Sequence, residues 1–523
     1  MNSGHKRSGA TIAPWVVAIG LALAASAGAD PQGDKAEAAK KEGMQAEAAK
    51  PAEAPAKPQS FTSEHRLESG DLDLRYTATA EEIFLKDAAG KPTASFFTIS
   101  YTKAGVARPE DRPVTFVFNG GPGSSSIWLH FGLVGPRIID LPSDASDPGP
   151  PPYKLRDNPW TLLRATDLVF VDPVGTGYSK ALGEKKNADF WGFDEDADSV
   201  AEMIRTWLSQ HNRWNSPKFT LGESYGGIRT ALLVPRLQQG LDLRLNGVML
   251  ISPALNMATL PFDITGNDLA YATELPSLAV AAYYHHRLPD AWPSLPALLS
   301  EVEGYAGGEY LSVLFAGDRL APADRERAAE RLHRYTGLGK DYILRSNLRI
   351  FPLRFIKELL REQGKILGFH DSRFVQDELD DVGDFPAGDA FAAKTNPVYV
   401  ANFQSYLKNE LKVDWDQRYI ALSDEAGQNW KRPKGTGAFS GYVNVTDQLA
   451  QGTKDNEALR VFVAAGYHDL VTPFFATDYM FHHSRIDPGR LMVKAYPGGH
   501  MMYLHQPSLE ALANDLVAFI GKH

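Results

Sequence analysis

Several common features are missing from this 523-residue chain, and each absence excludes a class of protein. The chain contains no cysteine, which excludes disulfides, thiolate metal sites and a cysteine nucleophile. No stretch reaches the roughly 18 consecutive apolar residues of a membrane-spanning helix. Lys and Arg number 54 against 64 Asp and Glu, and the net charge of −10 argues against a nucleic-acid-binding protein. The hydrophobic content of 43% is enough for a large core.

The first 29 residues contain the three parts of a secretory signal peptide. The basic stretch His5–Arg7 precedes the apolar run Ile12–Ala25, which leads into the small-residue site Ala27–Ala29. We therefore predict export to the periplasm or the medium, with no stable membrane insertion after cleavage. The alternative is a retained membrane anchor.

Residues 30–60 differ sharply in composition from residues 61–523. They are almost wholly Ala, Lys, Glu, Pro, Gln and Gly, without Val, Ile, Leu or an aromatic residue. Such a segment has nothing to bury, so a disordered linker is predicted. Residues 61–523 are predicted to form the folded domain.

The pattern of this domain predicts an α/β fold, a doubly wound and mostly parallel sheet preceded by antiparallel strands. Alternating residues between 61 and 101 favour the antiparallel strands. Short apolar runs separated by helical stretches come next, as expected of buried parallel strands. The region from about residue 257 to residue 395 contains amphipathic helix candidates and no convincing strand, which indicates a helical cap insertion. The apolar runs are Val114–Phe118, Leu168–Val171, Lys218–Leu221, Val248–Ile251, Val461–Ala464 and Leu491–Val493.

A candidate nucleophile lies in Gly222-Glu223-Ser224-Tyr225-Gly226, between a predicted strand and a predicted helix. A tight strand-to-helix turn with small flanking residues presents the hydroxyl of Ser224 at the carboxyl edge of the sheet. The five-residue pattern alone is weak, because Gly177–Ala181 nearly matches it. An ordinary glycine-rich turn is the alternative.

Acyl chemistry on this serine also requires two backbone N–H groups that point at one oxygen. Tyr225, the residue after the nucleophile, supplies one of them. The loop Phe118–Gly123 comes after an earlier strand and is placed to supply the other. Gly-Pro-Gly within it is also compatible with a plain turn.

Candidates for the base and its orienting carboxylate come after the last two predicted strands. Asp469 ends the stretch Gly466–Asp469, and His500 ends the stretch Pro497–His500. On this architecture the chain order is serine, acid, histidine, and both residues satisfy it. His468 and His505 are weaker candidates for the base.

Other patterns in the chain do not carry a site. Asp194, Asp196 and Asp198 begin like a calcium loop, but Ser199 replaces the required glycine and Arg205 stands at position twelve. An acidic first helical turn explains them better. The histidine pairs lack zinc-helix spacing, and neither a phosphate-binding loop nor a dinucleotide fingerprint is present. We predict no metal and no cofactor.

Taken together, the motifs resemble the serine carboxypeptidases of the α/β-hydrolase fold. Four motifs recur in the family's order between about residues 112 and 502. They are Asn119–Ser125 (NGGPGSS), Pro173–Ser179 (PVGTGYS), Gly222–Gly227 (GESYGG) and Gly499–Met501 (GHM).

The resemblance implies a role for each matched residue. Ser224, Asp469 and His500 would form the catalytic triad. The N–H groups of Gly121 and Tyr225 would form the oxyanion hole. Asn119, Gly120 and Glu223 would bind the terminal carboxylate of a peptide substrate, and residues 61–523 would be an α/β-hydrolase catalytic domain.

The chain departs from the family pattern in ways that bear on function. The absence of cysteine differs from the disulfide-bonded secreted eukaryotic members, so the resemblance is to a bacterial-type member. The family's motif aspartate is Val171 here, with Asp172 one place later. A second family glutamate, two residues before a Gly-Pro pair, is Leu133 here, and this affects the substrate-binding site. Burial can still raise the pKa of Glu223 without that neighbour.

The resemblance implies a hydrolase that releases C-terminal residues from peptides through an acyl-enzyme. An esterase or acyltransferase on the same scaffold is the first alternative, and a non-catalytic binding protein of this fold is the second. The oligomeric state and the preferred side chains are not predicted.

Overall fold

A computed structural model describes residues 57–70, 72–260, 265–433 and 442–522. The predicted signal peptide, and the predicted linker as far as residue 56, lie outside the described residues. Within these ranges, no helix combines the length and the apolar character that crossing a membrane requires.

Three antiparallel strands open the domain, as the alternating sequence predicts. They are β1 (Ser60–Ser69), β2 (Leu72–Lys86) and β3 (Pro92–Lys103). The turn between β2 and β3 is closed by the carboxylate of Asp87, which accepts hydrogen bonds from the backbone of Ala89 and Lys91, each at 2.9 Å. This chemistry is typical of an Asx turn.

The main sheet continues from β3 through the parallel strands. The further strands are β4 Val114–Phe118, β5 Arg137–Ile139, β6 Leu155–Asp157, β7 Asp167–Asp172, β8 Lys180–Ala181, β9 Lys218–Glu223, β10 Gly247–Ile251, β13 Arg460–Gly466 and β14 Leu491–Tyr496. Along the main sheet the order is β1-β2-β3-β7-β4-β9-β10-β13-β14, and the short β8 pairs with β3. Strands β5 and β6 form a separate pair. Every apolar run identified in the sequence lies in one of the strands of the main sheet.

Helices cover both faces of the sheet. Alternate residues of a strand point to opposite faces, so in β4 Phe116 joins one core and Val117 the other. The helix bounds are α1 Ile127–Leu129, α2 Phe193–Gln210, α3 Tyr225–Pro235, α4 Asp268–Tyr284, α5 Leu295–Tyr305, α6 Leu311–Ala316, α7 Pro322–Thr336, α8 Lys340–Arg345, α9 Pro352–Glu358, α10 Ala390–Asn409, α11 Asp424–Gln428, α12 Thr446–Asp455, α13 Phe474–His482 and α14 Gln506–Ile520. The predicted α/β-hydrolase architecture is confirmed.

The long excursion between β10 and β13 is mainly helical and holds a third core. Helices α4 to α9 pack around buried residues such as Leu278, Leu298 and Tyr335. The expectation that no strand lies in this region is wrong in one respect. Lys365–Leu367 (β11) and Val375–Asp377 (β12) form a small antiparallel hairpin, which is too short to leave a periodic signal in the sequence.

Candidate active site

Ser224 occupies a sharp turn between β9 and α3. Its backbone has φ 60° and ψ −123°, in a region that side-chain-bearing residues rarely adopt. The backbone N–H of Ser224 donates to the carbonyl of Ile251 at 2.9 Å, which ties the turn to the neighbouring strand β10. The predicted strand–turn–helix context of the serine is therefore present.

Glycine is required at several positions of this turn because neighbouring backbone atoms occupy the space that a side chain would need. A Cβ on Gly222 would lie 2.2 Å from the carbonyl oxygen of Gly226, and one on Gly226 would lie 2.7 Å from that of Phe118. A Cβ on Gly120 would lie 2.4 Å from the nitrogen of Tyr225. The loop after β4 thus packs directly against the N-terminus of α3, where the oxyanion hole is predicted.

A buried arginine holds this loop in place. Arg229, on α3, is fully buried and donates to Asp196 at 2.7 Å and to the carbonyl of Asn119 at 2.7 Å. The guanidinium also lies over the ring of Tyr225. One side chain therefore links α2, α3 and the loop after β4.

The predicted base and its carboxylate are in direct contact. His500 Nδ1 lies 2.7 Å from Asp469 Oδ2, and both side chains are buried. Asp469 also accepts hydrogen bonds from the backbone of Val471 and Thr472, at 2.8 and 3.0 Å, and from the hydroxyl of Thr472 at 2.6 Å. With its other sites occupied, the carboxylate holds the imidazole in one orientation.

Electrostatics favour an imidazole that can accept a proton. Burial opposes protonation of His500, but the charge and hydrogen bond of Asp469, together with the charges of Glu223 and Asp389, outweigh burial and raise the pKa of His500. Such a shift suits a general base.

Ser224 is brought to the same edge of the sheet as this pair, since it comes after β9 while Asp469 and His500 come after β13 and β14. Among the described residues, hydrogen bonds join His500 to Asp469 but not Ser224 to His500. Nucleophile–base contacts of this kind often tighten only when substrate binds.

Glu223 is a buried acid next to the serine. It accepts hydrogen bonds from Asn119 Nδ2 at 2.8 Å and from the hydroxyl of Tyr503 at 2.6 Å. Burial raises the pKa of Glu223 to about 7, against the opposing effect of His500. Glu223 is thus largely protonated in mildly acidic solution.

The other predicted site residues lie in different settings. Gly121 adopts φ 99° and comes after Gly120 in the loop that meets α3. Leu133 is fully buried in the core, and its carbonyl accepts from Asn158 at 2.9 Å. The substrate-binding roles of Asn119, Gly120, Glu223 and Leu133 stay predictions, as do the catalytic roles of the triad.

The rival residues have structural partners. Ser179 donates to the carbonyl of Asp172 at 2.6 Å and accepts from the backbone of Phe97 at 2.7 Å. His468 contacts Ser372, and burial lowers the pKa of His468 to about 3.

The acidic residues at the start of α2 bind arginines. Asp194 and Asp196 lie in the first turn, as expected, and Asp198 follows in the second turn. Asp194 and Asp198 accept from Arg236, and Asp196 accepts from Arg229. No group of three or more potential metal-ligating side chains occurs within the residues that the structure describes.

Several supporting residues were not predicted from the sequence. Thr472, Tyr503 and Arg229 each bind a site residue, yet nothing in their local sequence distinguishes them. The segment Phe369–Arg373 is also unpredicted, although it bonds to the loop of Asp469 and to the loop of His500. The backbone N–H of His500 donates to the carbonyl of His370 at 2.6 Å.

Comparison with known proteins agrees with this fold, which is that of the α/β-hydrolases. The solved structure of Kex1, a prohormone-processing carboxypeptidase from Saccharomyces cerevisiae, superposes on this chain with a TM-score of 0.53 at 14% identity. The superposition covers 89% of this chain and 91% of the Kex1 chain. At that identity the likeness establishes the fold alone.

The family is indicated at the level of sequence. The serine carboxypeptidase family model matches residues 84–261, and the resemblance to that family is thereby confirmed. Serine carboxypeptidase-like 5 of Arabidopsis thaliana is 28% identical over 42% of this chain and 44% of its own length. Probable serine carboxypeptidase CPVL of Homo sapiens is 32% identical over 23% of each chain. The matched region thus spans less than half of these relatives.

One buried group near the site has no evident partner. Glu274, on α4, is fully buried, and neither carboxyl oxygen has a hydrogen-bond partner among the described residues. Burial, reinforced by the charge of Asp469, raises the pKa of Glu274 well above its ordinary value of 4.5. A carboxyl group in this position is costly to bury.

We expect Glu274→Met to stabilise the protein by about 1–3 kcal/mol at pH 7, because it removes an unsatisfied buried carboxyl group. The folded pKa of Glu274 is raised, so the native state of the wild type is disfavoured as pH rises above about 4.5. The gain from Glu274→Met should therefore grow from pH 4 to pH 7 in urea unfolding. The exposed Glu330→Met is the control, and a net loss of stability at pH 7 in Glu274→Met would contradict the prediction.

Proposed function

We propose that this protein is a serine carboxypeptidase-like hydrolase that releases C-terminal residues from peptides through an acyl-enzyme. The observation that carries the proposal is the convergence of Ser224, in its strained turn, with the hydrogen-bonded Asp469–His500 pair at one sheet edge. The confirmed family resemblance supports the same reaction class.

In the proposed mechanism Ser224 Oγ attacks the scissile carbonyl carbon while His500 removes its proton. The backbone N–H groups of Tyr225 and Gly121 stabilise the oxyanion that develops. His500 then returns the proton to the leaving amine. Water, activated by the same histidine, hydrolyses the ester on Ser224, and Asp469 stabilises the imidazolium at each stage.

The proposed carboxylate site uses Asn119, Gly120 and Glu223. A protonated Glu223 can donate a hydrogen bond to the terminal carboxylate of the substrate, whereas the ionised form would repel it. The family's second glutamate is absent, and the hydroxyl of Tyr503 contacts Glu223 instead. Burial therefore replaces a like-charge neighbour as the main reason for the raised pKa.

This replacement supports an esterase or acyltransferase as the second candidate. With a single acid at the site, recognition of a free C-terminus is weaker, and esters become better competing substrates. Partition of the acyl-enzyme between water and an added alcohol distinguishes hydrolase from transferase.

We expect Ser224→Ala to abolish turnover and labelling by a fluorophosphonate while leaving the melting temperature nearly unchanged, since only a hydroxyl is removed. His500→Ala should lower kcat by a comparable factor, on the order of 10⁴ or more, and Asp469→Asn should leave more activity. Ser179→Ala is the matched control and should retain labelling. Loss of labelling in Ser179→Ala but not in Ser224→Ala would refute the assigned nucleophile.

The pKa of Glu223 predicts a specific pH dependence. We expect kcat/KM for an N-blocked dipeptide to fall as pH rises through about 7, because Glu223 then loses its proton. The dipeptide amide lacks the carboxylate and should not show this decline. Glu223→Gln should remove the difference between the two profiles, measured from about pH 4 to 8. An unchanged difference in Glu223→Gln would contradict the assignment.

Leu133→Glu extends the same experiment. It restores the family's second acid, so the preference for the free acid over the amide should increase at low pH. If the wild type already prefers the free acid strongly and Leu133→Glu changes nothing, the inference from Leu133 fails.

Export from the cytoplasm is also proposed, from the composition of residues 1–29. Mass spectrometry of the protein from its native host should find a mature N-terminus near Asp30. An intact Met1 in the membrane fraction would favour the anchor instead.

A further inference from the structure

A second histidine–carboxylate pair lies beside the proposed catalytic histidine. His370 Nδ1 is 2.5 Å from Asp389 Oδ2, and the rings of His370 and His500 meet edge to face with centroids 5.4 Å apart. We propose that His370, held by Asp389, binds the leaving C-terminal residue and favours substrates in which that residue carries a carboxylate side chain. This inference rests on the proposed carboxypeptidase function.

The imidazole of His370 is held firmly. Asp389 is the N-cap of α10, and its Oδ1 accepts from the backbone of Phe369 at 2.9 Å and of Phe391 at 3.0 Å. The other carboxylate oxygen of Asp389, Oδ2, is hydrogen-bonded to Nδ1 of His370. The ring of His370 also stacks on that of Phe391, with centroids 5.6 Å apart. Contacts on the ring face and at Nδ1 fix the direction of Nε2.

The segment that carries His370 is fixed to the catalytic loop. The carbonyl of His370 accepts from the N–H of His500 at 2.6 Å, and Asp371 Oδ2 accepts from the N–H of Gly499 at 3.0 Å. Asp371 is held in turn by a buried ion pair with Arg373. The distance between the two histidine rings is therefore built into the backbone.

Accessibility distinguishes the two histidines. The side chain of His370 is 34% exposed, whereas that of His500 is 5% exposed. No hydrogen bond to His370 Nε2 occurs among the described residues, so this nitrogen is available to a ligand. A molecule that reaches the edge of His500 from solvent comes within range of His370.

The chemistry of the pair favours an anion. A histidine bound to a carboxylate through Nδ1 donates through Nε2 when protonated, and charge-assisted hydrogen bonds to carboxylates are about twice as strong as neutral ones. Asn119 and protonated Glu223, the groups proposed for the terminal carboxylate, carry no positive charge. When both of its ring nitrogens carry a proton, His370 can supply a cationic donor for a second carboxylate on the leaving residue.

The test compares N-blocked dipeptides that end in Glu or in the isosteric Gln, at about pH 5, where an ordinary histidine is protonated. The wild type should hydrolyse the Glu peptide with kcat/KM about tenfold higher, mainly through KM. His370→Gln should reduce the ratio to near one, and Asp389→Asn should lower it partly. The control His482→Gln removes the exposed His482–Asp478 pair and should leave the ratio unchanged.

A ratio near one in the wild type, or an unchanged ratio in His370→Gln of normal melting temperature, overturns the inference. Binding of both peptides to Ser224→Ala, measured by calorimetry, separates it from the proposed function. If the peptides bind but the wild type does not cleave them, the proposed function fails and the ratio of dissociation constants still decides the role of His370. If neither peptide binds, both are overturned.

Discussion

The close approach of two backbone segments underlies the whole site. Gly120 lies so near the start of α3 that a Cβ would be 2.4 Å from the nitrogen of Tyr225, so no side chain fits between them. Arg229 maintains this approach by bonding both Asp196 and the carbonyl of Asn119. Because that ion pair is wholly buried, removing one partner would leave an uncompensated charge, which typically costs about 3–5 kcal/mol. The geometry of the proposed active site and the stability of the fold therefore depend on the same side chain.

The excursion between β10 and β13 contributes more than a cover over the sheet. Its segment Phe369–Arg373 bonds to the loop of Asp469 and to the loop of His500, through Ser372 with His468 and Asp371 with Gly499. Two loops that come after adjacent parallel strands are thereby fixed relative to each other. A chain without cysteine obtains this rigidity from buried ion pairs and backbone hydrogen bonds.

Glu223 illustrates how one electrostatic result can arise from different surroundings. In the family pattern two acids near the substrate carboxylate raise each other's pKa. Here burial raises the pKa of Glu223 to about 7, although the hydrogen bonds from Tyr503 and Asn119 act to lower it. The neutral acid is retained, but a single group now provides it. Because only one acid is present, other residues near the proposed site have more influence on substrate preference.

Local sequence was enough to predict the strands of the main sheet apart from the short β8, the position of Ser224 between β9 and α3, and the positions of Asp469 and His500 after β13 and β14. Apolar runs and glycine spacing record which backbone must be buried or tightly turned, so these features can be read one segment at a time. Only the tertiary structure shows that Arg229 donates a hydrogen bond to Asn119 and that Tyr503 donates one to Glu223. It also shows that the pair of His370 and Asp389 lies beside His500. Those contacts join residues far apart in the chain, for example 280 positions between Glu223 and Tyr503. No local pattern encodes them, because the partners meet only when separate elements pack around the same edge of the sheet.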